Sequence, residues 1–391
     1  MRPRTLAALF IATLVILLIA AVSVWFFWHK RLEAPLVLAP VSFSDLPGWG
    51  QSDAKAALAA FQKSCGVLTT KPPNAAMGYA GTAADWQPAC AAALSEKPGP
   101  ARAFFERYFS PFAVNPRDDG LFTGYYEPFL QGSRTRHGAF QTPVYGLPSD
   151  LVSVDLGLFK PEWQGEHLEG RLDGHRLAPY PTRAEIDAKP PSNAPVLFYG
   201  DDPVSVFFLH IQGSGRVQLD DGSAIRVAYA GQNGQAYTAI GRTLIRDYGV
   251  PRNGMLMQMI RAWLKAHASE ARKVMETDAS FVFFKEAPTR DAALGADGAQ
   301  GVALTPEASI AVDLHLHPLG VPMFLATRTP DGKVLDGLFI AQDTGGAIRG
   351  AVRADIYFGF GPRSELLAGG MKAQGAMFVL LPRTLATRPG G

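Results

Sequence analysis

The chain has 391 residues, 47% of them hydrophobic, with 37 basic against 35 acidic side chains and a formal net charge of +2. That length and apolar content suffice for two domains and a tether, and balanced charge without any Lys/Arg block excludes nucleic acid as a partner. Forty glycines and 30 prolines disfavour a helical bundle and favour short strands joined by many turns.

After Arg2 and Arg4, the run Leu6–Trp28 is broken only by the polar residues Thr13 and Ser23. At about 1.5 Å rise per residue, a helix of that length reaches across roughly 30 Å of hydrocarbon. Trp25, Phe26, Phe27 and Trp28 close the run as an interfacial belt would, and His29, Lys30 and Arg31 follow. Residues 1–28 are therefore expected to be a transmembrane anchor. The alternative is a cleaved signal, for which Ala20-Ala21-Val22-Ser23 makes a poor cut site because the apolar run continues past it. Residues 29–45 read as a Pro-rich linker.

Residues 46–127 read as a helical segment followed by a first strand that packs with a later barrel. Ala56, Leu58, Ala59 and Phe61 lead to Cys65, and Ala101 to Phe109 carries paired aromatics. The two cysteines, Cys65 and Cys90, either pair as an exported protein's cysteines commonly do or stand as separate buried thiols. GLFTGYYEPFL, Gly120 to Leu130, is an aromatic strand ended at Pro128.

Residues 128–279 are expected to form an inserted β domain with two helices. Pro195 to Tyr199 is a strand candidate, and VSVFFLHIQGSGRVQLDDGSAIRVAYAG from Val204 reads as three strands, with breaks at Gly213-Ser214-Gly215 and a two-residue hairpin turn at Asp221-Gly222. Tyr237, Ile240, Leu244, Ile245 and Tyr248 make one helical stripe; Leu256, Met259, Ile260, Trp263 and Leu264 make another. Residues 280–385 then alternate apolar runs with turns. Ser280 to Lys285, Ile310 to Asp313, Met323 to Thr327, Leu338 to Gln342, Ile356 to Phe360 and Ala376 to Leu381 are strands of a small all-β unit, a barrel, with no helical periodicity. The fold class is mainly β with accessory helices.

Three aspartates of that unit stand in suggestive contexts: Asp313 in AVD, Asp343 in QDTGGAIRG and Asp355 in ADIYFG. Gly345, Gly346 and Gly350 let the chain turn tightly and leave room for a ligand. A carboxyl flanked by apolar residues has its charged form disfavoured, which is what proton donation at neutral pH requires. The competing role for each Asp is to cap backbone N–H groups at a strand-to-turn junction. His315 and His317, two apart on a presumed strand, share a face and suggest a surface or groove feature. Without a third ligand they give no metal site, and no phosphate loop or dinucleotide fingerprint calls for a cofactor.

Taken together, AVDLHLHPLGVP, AQDTGGAIRG and ADIYFG between Ile310 and Gly359 resemble the three-aspartate domain, a double-psi β-barrel. Upstream, GLFTGYYEP, YPTRAEID (Tyr180 to Asp187), FFLHIQGSGRV (Phe207 to Val217) and SFVFFK resemble, in the same order, the membrane-bound lytic transglycosylase A family. The resemblance implies an exolytic enzyme of bacterial peptidoglycan with Asp355 as general acid/base and Asp343 as supporting carboxylate. It places Asp313, Thr123, Tyr125, Tyr126, Gln212 and Ser214 along a sugar-binding groove. Tyr125 and Tyr126 point to opposite faces of a strand, so at least one is a core candidate, and Ser214 between two glycines could be a turn residue. The partners implied are glycan strands, the membrane through the N-terminal helix, and cell-wall synthesis or division complexes. An anchored chain would sit at the periplasmic face of the inner membrane and a cleaved one would be soluble in the periplasm. Two rivals remain open: a hydrolase using an aspartate pair, and a non-catalytic glycan-binding wall anchor.

Overall fold

The computed structural model describes residues 36–95, 100–117, 119–160, 163, 167–253, 255–288 and 294–386. The expected anchor Leu6–Trp28 lies outside these residues. Among the described residues no helix is long and apolar enough to cross a membrane.

The strands in chain order are β1 (Leu38–Pro40), β2 (Phe109–Val114), β3 (Gly120–Glu127), β4 (Phe129–Ser133), β5 (Thr142–Tyr145), β6 (Val152–Asp155), β7 (His167–Asp173), β8 (Arg176–Pro179) and β9 (Val196–Gly200). Then come β10 (Ser214–Leu219), β11 (Ala224–Gln232), β12 (Val282–Ala287), β13 (Ser309–Val312), β14 (Pro322–Arg328), β15 (Val334–Asp343), β16 (Arg353–Phe360) and β17 (Lys372–Pro382). Strands β17, β14, β15, β13, β16 and β3 follow one another side by side, and β3 pairs back onto β17. A sheet closed on itself has no exposed edge, so β3 is a stave of the barrel although most of the other staves lie far downstream. β13–β15 and β16–β3 are parallel pairs. β2 continues outward from β17, and β1 from β2. The expected linker 29–45 thus contains a strand, because Leu38–Pro40 finds partners in Phe112–Val114, and ends in a short 3-10 helix, Phe43–Asp45.

The helical segment covers one side of the barrel. Helix Lys55–Leu68 buries Phe61 among Trp86, Phe104, Phe105 and Phe109; removing such a ring would cost about 3–5 kcal/mol. Helix Ala83–Ala93 starts at a capping box, with Thr82 N–H and Oγ1 both donating to Asp85 Oδ2. A Cys65–Cys90 disulfide ties these two helices, so the paired alternative is the one adopted. Gln342 at the end of β15 donates from Nε2 to Ala60 O at 2.8 Å and to Ser64 Oγ at 2.8 Å, which fixes the barrel against the first helix.

Between β3 and β13 the chain builds a second β domain. Its six strands run in the order β12-β11-β10-β4-β9-β5, and β6-β7-β8 form a separate antiparallel sheet. SFVFFK, expected in the barrel unit, pairs instead with β11 through Phe283↔Gly231 and Phe284↔Tyr229, so the boundary at 280 moves beyond Ala287. The first of the three strands expected after Val204 is a helix, Pro203–Gln212. A short apolar run does not distinguish a buried strand from a buried helix by periodicity. Here the ends decide: Asp202 Oδ1 accepts from Val204 N–H, Pro203 takes the first helical position, and Gly213 closes the helix at φ +78°. The helix is apolar all round because it is sandwiched. Val206 and Leu209 pack on the sheet with Leu130, Phe198 and Phe284, while Phe207 and Phe208 pack on Leu244, Leu264 and Val274.

Other boundaries also shift. The β10–β11 connection is longer than a two-residue hairpin: Gly222 N–H, at φ +86°, donates to Leu219 O, and Leu219 N–H to Ser223 O. Tyr237 precedes the helix Ile240–Tyr248 rather than belonging to it. An unexpected helix, Ala268–Met275, follows Met257–Ala266. Helices Pro362–Gly370 and Arg383–Ala386 interrupt the stretch expected to be all β; the first starts on Pro362 and ends in glycines, so its sequence carries little amphipathic signal.

Candidate active site

The parallel pairing of β3 with β16 sets Thr123 opposite Asp355 and Tyr125 opposite Tyr357. With a period of two, Thr123, Tyr125 and Glu127 share the face that carries Asp355 and Tyr357, while Phe122 and Tyr126 turn to the other face and are buried there. Thr123 Oγ1 donates to Asp355 Oδ1 at 2.6 Å. Arg353, two residues before Asp355 and on the same face, donates from Nη2 to Thr123 Oγ1 at 2.8 Å and from Nη1 to Leu121 O at 3.3 Å.

Asp343, the last residue of β15, lies beside this pair. Tyr125 Oη donates to its Oδ2 at 2.7 Å and Ala299 N–H to its Oδ1 at 2.9 Å. Burial pushes both carboxyls above the ordinary aspartate range. At Asp343 the Tyr125 hydroxyl and the backbone N–H groups of Ala299 and Thr344 pull the other way. At Asp355 the Arg353 charge and the Thr123 hydroxyl pull down, and the Asp343 charge adds to the rise. Asp355 Oδ2 receives no hydrogen bond from any described residue. Both oxygens of Asp343 are committed. Burial, then the Asp278 charge, raises the Tyr237 phenol, and Asp355 adds a smaller rise, so this residue of the loop ahead of helix Ile240–Tyr248 lies within electrostatic reach of Asp355.

Asp313 departs from its expected place on a sugar-binding surface. It is only 1% exposed, and its carboxylate accepts from Gly350 N–H at 2.8 Å and His315 N–H at 3.2 Å and pairs with Arg349 at 3.4 Å. It holds the glycine loop that leads into β16. His315 and His317 lie in the turn after β13, not on a strand. His317 is buried, donates from Nε2 to Ala351 O at 2.7 Å and accepts from Tyr79 Oη at Nδ1 at 2.9 Å. Asp313 and His317 thus grip adjacent residues of one loop. Tyr126 is the core member of the tyrosine pair: its N–H donates to Gln212 Oε1 at 3.0 Å, which commits Gln212 to pinning β3. Ser214 is half-buried and opens β10, with Ala228 opposite.

The sequence reading missed a second carboxylate on the same strand pair. Glu127 is 1% exposed and meets Arg226 Nε at 3.1 Å, Arg216 Nη2 at 3.2 Å and Tyr357 Oη at 3.2 Å. Both arginines also donate to Leu294 O. This cluster fastens β3 and β16 of the barrel to β10 and β11 of the second domain. Arg353 and Glu127 lie at two-residue spacing from Asp355 and Tyr125, so strand periodicity was the signal that could have found them. A cavity of about 320 Å³ opens at this end, lined by Glu127, Phe129, Arg216, Phe360 and Glu365 among others, and touches neither Asp343 nor Asp355.

Residues 121–285 match the MltA specific insert domain, and residues 308–381 match the 3D domain. The structure of a membrane-bound lytic murein transglycosylase from Agrobacterium tumefaciens aligns at a TM-score of 0.78 and 32% identity, covering 89% of this chain and 98% of that one. The chain belongs to the membrane-bound lytic murein transglycosylase A family. The curated Escherichia coli (strain K12) member is 36% identical over 270 residues, 66% of this chain and 65% of that protein. The chain therefore matches just under two thirds of the length of that curated relative. E. coli MltA with bound chitohexaose aligns at a TM-score of 0.63 and 26% identity, covering 88% of this chain and 91% of that one. The matched insert, 121–285, runs from β3 into β12 and agrees with SFVFFK lying in the inserted domain.

Proposed function

We propose that this protein is a lytic transglycosylase that cleaves the β-1,4 bond between N-acetylmuramic acid and N-acetylglucosamine in peptidoglycan and closes a 1,6-anhydro ring on the muramic acid. The observation that carries the reading is the unequal pair on one face of the barrel: Asp343 with both oxygens hydrogen-bonded, Asp355 with one oxygen held and one uncommitted. Two neighbouring carboxyls do not ionise independently. The one with more donors gives up its proton first and, once charged, helps the other to keep its own. Asp355 is then the proton donor at neutral pH and Asp343 the fixed negative charge.

Asp355 passes its proton to the glycosidic oxygen, and the bond from that oxygen to the muramic acid C1 breaks. Positive charge developing at the ring is balanced by ionised Asp343. The C6 hydroxyl of the same sugar lies on the face from which the leaving group departs. Its oxygen bonds to C1, and its proton goes to the Asp355 carboxylate. The acid is restored and no water is consumed. Because the nucleophile belongs to the substrate, the protein needs to position only one sugar and one proton. Thr123 and Tyr125 line this face, and Tyr237 of the second domain lies within electrostatic reach of Asp355. We reassign Asp313, Tyr126 and Gln212 to holding the site's backbone.

We read the six-stranded ring as a double-psi barrel, which its two parallel pairs among antiparallel neighbours support. Tethering by Leu6–Trp28 at the periplasmic face of a membrane rests on the apolar run in the sequence and on the membrane-bound relatives.

Digestion of purified sacculi followed by mass spectrometry of the fragments tests the reading. Anhydromuramic ends, with no new reducing ends, are expected. Fragments carrying an added water would replace it by the hydrolase that a pair of neighbouring carboxyls also permits.

A further inference from the structure

Asp355 has two oxygens, and only one of them can hand a proton to the glycan. Among the described residues its Oδ1 has a single partner, the Thr123 hydroxyl at 2.6 Å. That hydroxyl has one proton and two lone pairs, and Arg353 Nη2 donates to it at 2.8 Å. Arginine has only donors to offer, so it occupies a lone pair of Thr123 Oγ1. Asp355 Oδ1 is the only acceptor that the described residues offer to the Thr123 proton. Arg353 is in turn oriented by its other nitrogen, which donates to Leu121 O at 3.3 Å and Ala354 O at 2.5 Å. The direction of every hydrogen in this chain is thereby fixed, from guanidinium to hydroxyl to carboxyl.

We propose that Arg353 is a positioning residue: through Thr123 it reserves Asp355 Oδ1 as an acceptor and places the catalytic proton on Oδ2, the oxygen left open to the glycan. This deepens the transglycosylase reading and rests on it. With Arg353 in place, a proton on Oδ1 would meet a donor already pointing at it, so the acid exists in one orientation. After transfer, the same hydroxyl stabilises the carboxylate until the C6 proton returns. The arginine acts on Asp355 through Thr123, which hydrogen-bonds to both.

The titratable and charged groups that face Asp355 are Arg353 on its own strand, Tyr125 on β3, Asp343 at the end of β15 and Tyr237 from the second domain. Lys372 stands opposite Thr123 in the register of β17. Only Arg353 and the Thr123 hydroxyl favour the ionised form of Asp355 among the causes that act on it directly. Removing either raises the pH at which Asp355 loses its proton.

The test is the pH profile of kcat/KM on soluble glycan strands for Arg353→Gln, Arg353→Lys, Thr123→Val and Thr123→Ser. Arg353→Gln is expected to move the alkaline limb up by about one pH unit and to lower the plateau about tenfold, as the proton divides between two oxygens. Thr123→Val should do the same, and the double variant should be no worse than either single one. Arg353→Lys keeps the charge and should hold the limb nearer its original place. Thr123→Ser keeps the hydroxyl and should leave the limb where it was. An alkaline limb unmoved in both Arg353→Gln and Thr123→Val, whatever the loss of rate, would overturn the proposal, since a merely structural role lowers activity equally at every pH. Asp355→Asn is assayed alongside: if it still cleaves, the assignment of the acid itself has failed, whereas a dead Asp355→Asn with unshifted Arg353 and Thr123 variants refutes only the positioning role.

Discussion

Asp355 and Glu127 stand on the same pair of strands, face the same way, and are both raised by burial beside arginine. Their surroundings differ. Glu127 is sealed, with two guanidiniums and the Tyr357 hydroxyl converging on it from two domains. Asp355 is half-buried, its arginine acts through a threonine, and one of its oxygens is uncommitted. A shifted carboxyl therefore marks burial, which serves adhesion at one end of β3 and, in the proposed reaction, proton transfer at the other. Access distinguishes them: Glu127 is 1% exposed and its Oε1, although 3.1 Å from Arg226 Nε, accepts no hydrogen bond and is shut in, whereas Asp355 is half-buried.

Four measurements would break or sharpen that contrast. Asp355→Ala should lower the release of anhydro fragments by a factor of about 10² to 10⁴, with a melting temperature equal to or above the parent's, because a carboxyl that burial disfavours has gone. Substantial lysis by this variant would remove the distinction between the two ends. Glu127→Gln should act mainly on stability: buried Arg226 and half-buried Arg216 lose their counter-charge, which costs about 3 kcal/mol in a denaturant titration. If stability holds while activity disappears, Glu127 belongs to the chemistry and the comparison fails. Tyr125→Phe removes a donor from Asp343 and should slow turnover about tenfold, as expected for a hydrogen bond to a charged group, with little change in melting.

The smallest effect concerns the loop that delivers Asp355. Burial holds the His317 imidazole below its usual range, so at mildly acid pH the unfolded chain binds the proton first. Its share of stability is complete above a pH of about 6.5 and is lost as pH falls further, at no more than about 1.4 kcal/mol per pH unit. His317→Gln should flatten that acid-side slope in melts taken between pH 5 and 7. A slope unchanged by the substitution would mean that the imidazole is not held neutral by the loop.

The six barrel staves were legible because Val, Ile, Phe and Leu alternate with turns from Ile310 onward and in GLFTGYYEP. The two-residue period even separates Tyr125 from Tyr126. The helix Pro203–Gln212 was misread because a segment buried on both sides shows no amphipathic period. SFVFFK was given to the wrong domain because strand pairing is not written in a strand's own composition. Asp313, expected on a sugar-binding surface, turned inward because Gly350, Arg349 and His315 converge on it from the folded loops.

What the sequence determined by itself was the set of local facts: which runs are apolar, where glycines allow a turn, and which three aspartates sit near strand ends. Which aspartate keeps an oxygen without a hydrogen bond from the described residues was decided only when β3 closed the ring against β16 and β17. Thr123, Tyr125 and Arg353 acquire their roles through a register between strands separated by some 230 positions in the chain. A hydrogen bond is a contact of about 3 Å, and only the closed barrel brings residues that far apart in sequence within that reach.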